Sequence, residues 1–232
     1  MLIDGLQKMT LLDYPGKVAA TIFTFGCDFR CGFCHNPALV HARLRDTNAR
    51  VSEEKIWEFL KSRKGFLEAV VITGGEPTLQ LDLSIFLKKL KGLGYLVKLD
   101  TNGANSAALR DLLDNDLVDF VAMDIKNSLE RYSETVESEV DLEEIKKSIR
   151  IIKDSGVDYE FRTTLVQGLH NLEDILKMAE MIKGSKKYVL QNFVSRDVLV
   201  DEKYVGCRGF ASDFLKEAAK KCEALVEKCE IR

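Results

Sequence analysis

Six stretches of the chain are rich in β-branched and aromatic residues and little broken by polarity: residues 18–25, 69–73, 96–100, 120–124, 158–165 and 188–193. Near-continuous apolar runs of this length predict strands buried on both faces, as in a parallel sheet. Between them the period changes. Leu83, Phe86, Leu87 and Leu90 fall at helical spacing on one face. Ile56, Phe59 and Leu60 form another such stripe, as do Leu142, Ile145, Ile149 and Ile152, and Ile175, Met178 and Ile182. Polar residues just ahead of the stripes read as helix starts: Ser52, Asp141 with Glu144 as a capping-box partner, and Asn171 with Asp174. A last helix is expected over 212–230, with Cys222, Leu225, Val226 and Cys229 on one face. Strands and helices therefore alternate in about six units, with no Gly-, Ser- or Pro-rich linker between them. The expectation is one domain over 1–232, with its core at 18–193 and a C-terminal segment and helix at 194–232. An eight-unit barrel typically takes about 250 residues. Six units in 232 residues predict a partial (β/α)6 barrel, with a doubly wound open sheet as the alternative.

Composition narrows the classes of function. Lys and Arg number 34 against 37 Asp and Glu, so no basic surface for nucleic acid is indicated. No apolar run approaches the roughly 20 residues that span a bilayer. The N-terminus lacks a basic start followed by an apolar core, so a cytoplasmic protein is expected. Its six cysteines are then expected to be reduced, and clustered ones to serve as ligands or reactive groups.

Three of them cluster. Gly26-Cys27-Asp28-Phe29-Arg30-Cys31-Gly32-Phe33-Cys34-His35-Asn36-Pro37 follows the first predicted strand and carries a C-x3-C-x2-C spacing. Iron–sulfur cubanes usually take four cysteines, so three would leave one iron open for chemistry. The competing reading is half a zinc site, but no second C-x2-C pair exists, and His35 directly follows Cys34. Cys222 and Cys229 read as small apolar core residues, while Cys207 lies in a glycine-rich segment that assigns it no role.

The other strand ends carry further polar motifs. Thr73-Gly74-Gly75-Glu76-Pro77 is either a tight turn or a place where backbone approaches a ligand and a carboxylate meets an ammonium group. Asp100-Thr101-Asn102-Gly103 contains an ordinary Asn-Gly turn signal, and Met123-Asp124-Ile125-Lys126 places an acid at a buried strand end. Structural ion pairs of Lys126 with Asp100 or Asp124 would explain those acids, and lining a ligand mouth is the functional reading. Arg162 is free to meet a ligand carboxylate or to satisfy Glu76 or Asp124. Barrel enzymes assemble their sites at this end of the strands.

The cysteine loop, with Phe33 before its third cysteine, resembles the radical S-adenosylmethionine (SAM) superfamily. The resemblance implies a [4Fe–4S] cluster on Cys27, Cys31 and Cys34, with the fourth iron chelated by SAM and Phe33 near the adenine. Gly74, Gly75 and Glu76 look like that superfamily's motif for the SAM amino group. Asp100, Thr101, Asn102, Asp124 and Lys126 resemble the D-T-N-G and D-x-K segments of glycyl-radical-enzyme activating enzymes. There the aspartates and the threonine help hold a monovalent cation beside SAM, and the lysine contacts SAM. Asn102, Arg162 and Gln191 are carried over as further SAM contacts. Activators of pyruvate formate-lyase carry a histidine near the sixth strand end; this chain has Gln191 and Asn192 instead. With Asp13-Tyr14-Pro15-Gly16-Lys17 and Cys34-His35-Asn36-Pro37, the chain resembles the activating proteins of anaerobic ribonucleoside-triphosphate reductase over 13–193. The implied activity is reductive cleavage of SAM and removal of hydrogen from a glycine of a partner enzyme, with a flavodoxin or ferredoxin as electron donor. The alternatives are a pyruvate formate-lyase activator, a small-molecule radical SAM enzyme such as a deazaguanine synthase, and a non-catalytic iron–sulfur carrier. Only one cluster is expected, because 38–68 contains no cysteine.

Overall fold

The computed structural model describes residues 1–41 and 50–232. Strand β1 (Ile3–Thr10) pairs antiparallel with β2 (Ala19–Thr24). From β2 onward every neighbour is parallel: β3 (Ala69–Gly74), β4 (Leu96–Thr101), β5 (Phe120–Asp124), β6 (Asp158–Leu165), β7 (Tyr188–Asn192) and β8 (Cys229–Ile231). Spatial order follows sequence order across all eight strands. A doubly wound sheet would reverse direction partway. Here each crossover adds its strand on the same side, and the sheet curls into a barrel that does not close on itself.

The helices pack outside: α1 (Pro37–Val40), α2 (Glu53–Ser62), α3 (Leu83–Gly92), α4 (Ser106–Asp114), α5 (Tyr132–Val136), α6 (Leu142–Asp154), α7 (Leu172–Met181) and α8 (Ser212–Cys222). Burial on both faces of the strands divides the apolar residues in two. Ile22, Val70, Ile72, Val97 and Leu99 meet the helices in the main core. Ala19, Ala69, Val71, Phe120 and Ala122 alternate with them, face inward and form a second cluster with Tyr14.

All six predicted strands are present, flanked by two the sequence pattern did not reveal. β1 is an edge strand whose Gln7, Lys8 and Met9 are exposed, and β8 is three residues long. The last helix is also shorter than expected. It ends at Cys222, and the chain then turns so that Cys229 lies on β8 beside Tyr188. Both cysteines are buried, so their apolar packing survives the change of element. Ser52 and the Asn171–Asp174 box cap α2 and α7 as read from sequence. Asp141 caps α6 by accepting from the Glu143 N–H, but Glu144 does not complete a box. Its carboxylate accepts instead from the Ser106 hydroxyl and N–H at the start of α4.

Candidate active site

The cysteine loop runs from the end of β2 to α1 and is held by backbone contacts on three sides. Gly26, at φ +99°, donates its N–H to Leu39 and accepts at its carbonyl from Glu76 N–H at 2.7 Å. Arg30 N–H bonds Val136, and the Arg30 guanidinium bonds the Cys27 and Phe29 carbonyls. On the far side, Val200 and Asp201 donate their N–H groups to Cys34 and Gly32. Tyr204 packs so closely that a Cβ on Gly32 would sit 2.5 Å from its ring, and Phe33 meets the same ring edge-on at 6.0 Å. The segment after β7 thus roofs the cysteine loop.

The paired glycines have a specific reason. A Cβ on Gly75 would lie 2.0 Å from the Gly26 carbonyl oxygen, and one on Gly74 2.4 Å from the Thr24 backbone. What the Gly-Gly backbone approaches is the base of the cysteine loop, so β3's end and the loop are fixed to each other.

Cys27, Cys31 and Cys34 face a common cavity with Phe33, Gly74, Gly75, Glu76, Asp100, Thr101, Asn102, Asp124, Lys126 and Arg162. Burial pushes the Cys31 thiol up to about 11, against the pull of Lys126, and burial also raises Cys27 and Cys34. Thiols held this way stay protonated until a metal displaces the proton. Among the described residues no three His, Cys, Asp or Glu side chains converge closely enough for a single ion. Three thiols on one loop are the donor set of a multi-iron centre, in which each thiolate binds a different iron.

Glu76 is 1% exposed. Its carboxylate accepts from Thr78 N–H and hydroxyl, from Thr101 Oγ1 at 2.8 Å and from Asn102 N–H at 2.6 Å. Burial raises it to about 7, with those donors opposing. The carboxylate clamps the ends of β3 and β4 together. Asn102 extends the clamp through Nδ2 to Asp28 in the cysteine loop, at 2.7 Å.

Across the mouth runs a ladder of alternating charge. Lys98 pairs with Asp100; Arg162 bridges Asp100 at 3.2 Å and Asp124 at 2.9 Å; Lys126 pairs with Asp124 at 3.0 Å. Burial opposes ionisation of both acids, but Arg162 with Lys98, and Arg162 with Lys126, hold Asp100 and Asp124 below the usual carboxylate range. Of the ion pairs the sequence allowed, Asp124–Lys126 and Asp124–Arg162 are present; Asp100 turns to Lys98 and Arg162 rather than to Lys126.

Gln191 is level with Thr164 on β6 but is not among the residues lining the cavity. Asn192 is committed to the Phe210 backbone through both its amide atoms. His35, assigned no role from sequence, lines the cavity, stacks on Phe193 at 5.4 Å and has a buried Nε2 with no partner among the described residues. Lys98 and Thr78 escaped notice in the sequence. Lys98 stands two residues before Asp100, and strand periodicity alone puts the two on one face. Among the described residues no helix is long and apolar enough to cross a membrane.

Comparison with known proteins agrees with this geometry. A protein of Methanocaldococcus jannaschii, provisionally named a glycyl-radical enzyme activating enzyme, is 34% identical over 100% of this chain and 95% of its own. Pyruvate formate-lyase-activating enzyme of Streptococcus mutans is 28% identical over 80% of this chain and 73% of its own. The 7-carboxy-7-deazaguanine synthase of Thermococcus kodakarensis is 28% identical over 72% of this chain and 70% of its own. Among solved structures, SuiB of Streptococcus suis superimposes with a TM-score of 0.64 at 15% identity, covering 90% of this chain and 47% of SuiB. This chain thus spans about half of SuiB, and the likeness bears on fold. Residues 21–182 match the Radical SAM superfamily. The chain therefore belongs to the radical SAM superfamily, whose enzymes use a [4Fe–4S] cluster and SAM, and is similar over its whole length to a protein named for glycyl-radical enzyme activation.

Proposed function

We propose that this protein activates a glycyl-radical enzyme, with anaerobic ribonucleoside-triphosphate reductase as the partner. The observation that carries the reading is that three thiols on one loop and the charge ladder from β4 to β6 face a single cavity. Cys27, Cys31 and Cys34 would hold the cluster, which when bound supplies the electron that cleaves a carbon–sulfur bond of SAM. Phe33 would border the adenine, and the Gly74–Gly75–Glu76 turn would receive the amino group. Because the Glu76 carboxylate already serves four donors, the turn's role is to present backbone in a fixed place. Lys126 and Arg162 supply the positive charge that a SAM carboxylate needs. Asp100, Thr101, Asn102 and Asp124 shape the floor and wall beside it, and Gln191, level with Thr164 at the end of β7, would be a further SAM contact.

The partner's glycine would arrive on a flexible segment, since a buried Cα–H cannot otherwise reach the mouth. The N-terminal Asp13–Lys17 motif supports the choice of reductase over pyruvate formate-lyase, while the Cys34–Pro37 ending suits glycyl-radical activators generally. The whole chain acts as one domain, in the cytoplasm, with a flavodoxin or ferredoxin as donor. Anaerobic incubation of reconstituted protein with reductant, SAM and the reductase, followed by electron paramagnetic resonance, should yield a glycyl radical on the partner. A loaded cluster with SAM cleavage but no radical on this or any other glycyl-radical enzyme would overturn activation. The similarity to a deazaguanine synthase supports a second reading, a small-molecule substrate, for which turnover would proceed without a protein partner.

A further inference from the structure

The oxygens expected to receive a monovalent cation are already engaged. Asp100 gives one carboxylate oxygen to Lys98 and the other to Arg162. Asp124 gives one to Arg162 and the other to Lys126. The Thr101 hydroxyl donates to Glu76 and accepts from Gly103 N–H at 3.1 Å. Three fixed cations therefore occupy all four oxygens of these two carboxylates, and the remaining buried acid beside Arg162, Glu160, is paired with Lys187 and Arg232. A further cation at Asp100 or Asp124 would have to displace one of these fixed partners and would sit against its charge. The donor set of this chain does not fit a free cation at Asp100, Thr101 and Asp124.

Lys98 is the member of the ladder that the SAM-site reading does not use. It points into the barrel directly below Asp100 and is 2% exposed. An ammonium group is rarely buried so deeply without a partner, since desolvation disfavours the charged form. Its carboxylate partner is Asp100, and the Phe120 ring lies 5.9 Å from Nζ. Arg162 reaches Asp100 from β6 on its other oxygen, which leaves the lower oxygen to Lys98.

We propose that Lys98 is a built-in monovalent cation: its ammonium neutralises Asp100 from below, so that SAM binds at the mouth without added potassium or sodium. Lys98 acts through Asp100 and is a positioning residue. The inference rests on the SAM site proposed above and concerns how that site is charge-balanced. Its test is the SAM dissociation constant of the cluster-reconstituted full chain, measured by titration in potassium, sodium and choline buffers at equal ionic strength. The wild type should bind equally well in all three. Lys98→Met should bind about tenfold more weakly in choline and recover in potassium. Lys98→Arg should behave as the wild type.

Wild-type binding that collapses in choline would overturn the proposal. So would a Lys98→Met protein that binds equally well in every buffer, or one that potassium cannot rescue. If Lys98→Met fails to fold, the wild-type comparison decides alone. Loss of SAM binding by the wild type in all three buffers would instead overturn the SAM site itself, so the two failures are distinguishable.

Discussion

At the lower end of the barrel, Tyr14, Ala19, Ala69, Val71, Phe120 and Ala122 form an apolar cluster in the interior, beside a buried Glu160 paired with Lys187 and Arg232. Two residues higher on the same strands, the inward positions are Thr73 on β3 and Asp124 on β5, with Asp100 and Arg162 beside them on β4 and β6. Nothing in the backbone distinguishes the two levels. The strands are continuous and the register is unbroken from Phe120–Asp158 to Asp124–Arg162. The difference is wholly one of side chains: the lower level supplies stability, and the upper level spends part of it on holding charges away from water. Lys98 marks the border, with its ammonium on Asp100 and the Phe120 ring beneath.

Four experiments would break or sharpen that contrast. The largest effect belongs to the upper level. Cys31→Ala should abolish cluster loading, read from the iron content and visible absorbance of reconstituted protein, while the apo fold melts nearly as before. Next is Arg162→Met. It leaves Asp100 and Asp124 facing each other with one lysine apiece, and should cost about 3–5 kcal/mol in urea unfolding, as buried pairs do when one partner is removed.

Phe120→Ala acts on the lower level. It should cost about 3–5 kcal/mol through the cavity it leaves, with the cluster still loading at low temperature. If it impairs loading as severely as Cys31→Ala does, the two levels are not separable.

The smallest effect is pH-dependent. Burial raises Glu76 to about 7 in the folded protein from an ordinary 4.5. Below pH 4.5 both folded and unfolded states bind the proton, and the contribution to stability is fully present. It is lost as pH rises to about 7, by about 3 kcal/mol, and is level above that. Asp100 and Asp124 have the opposite sign: their contribution is present above pH 3.8 and is lost as pH falls further. Urea titrations of the apo protein between pH 5 and 8 should therefore show a decline that Glu76→Gln removes.

How much of this was legible in the chain depended on the range of the signal. The six parallel strands could be read because burial on both faces makes every position apolar, as in Ala69 to Ile72. β1 could not, because its edge exposes Gln7, Lys8 and Met9 and blurs the alternation. The helical spacing of Cys222 and Cys229 was real but broken by a turn, and both residues stayed buried by joining different elements. The cysteine loop was legible because ligand chemistry fixes residue types and short spacings. The clamp from Glu76 to Thr101 and Asn102 was not, because its partners lie 25 and 26 residues away on another strand. Glu144 misled for a similar reason. Its spacing from Asp141 predicts a capping box, yet Ser106, 38 residues distant, offers its N–H and hydroxyl together.

The central claim is that the three clustered thiols and the charged mouth form one SAM-cleaving centre. It is tested most directly by supplying anaerobically reconstituted protein with dithionite and SAM and measuring methionine and 5′-deoxyadenosine. Both products should appear with the wild type and vanish with Cys31→Ala. A fully loaded cluster that leaves SAM intact would contradict the account and return the protein to the carriers of electrons.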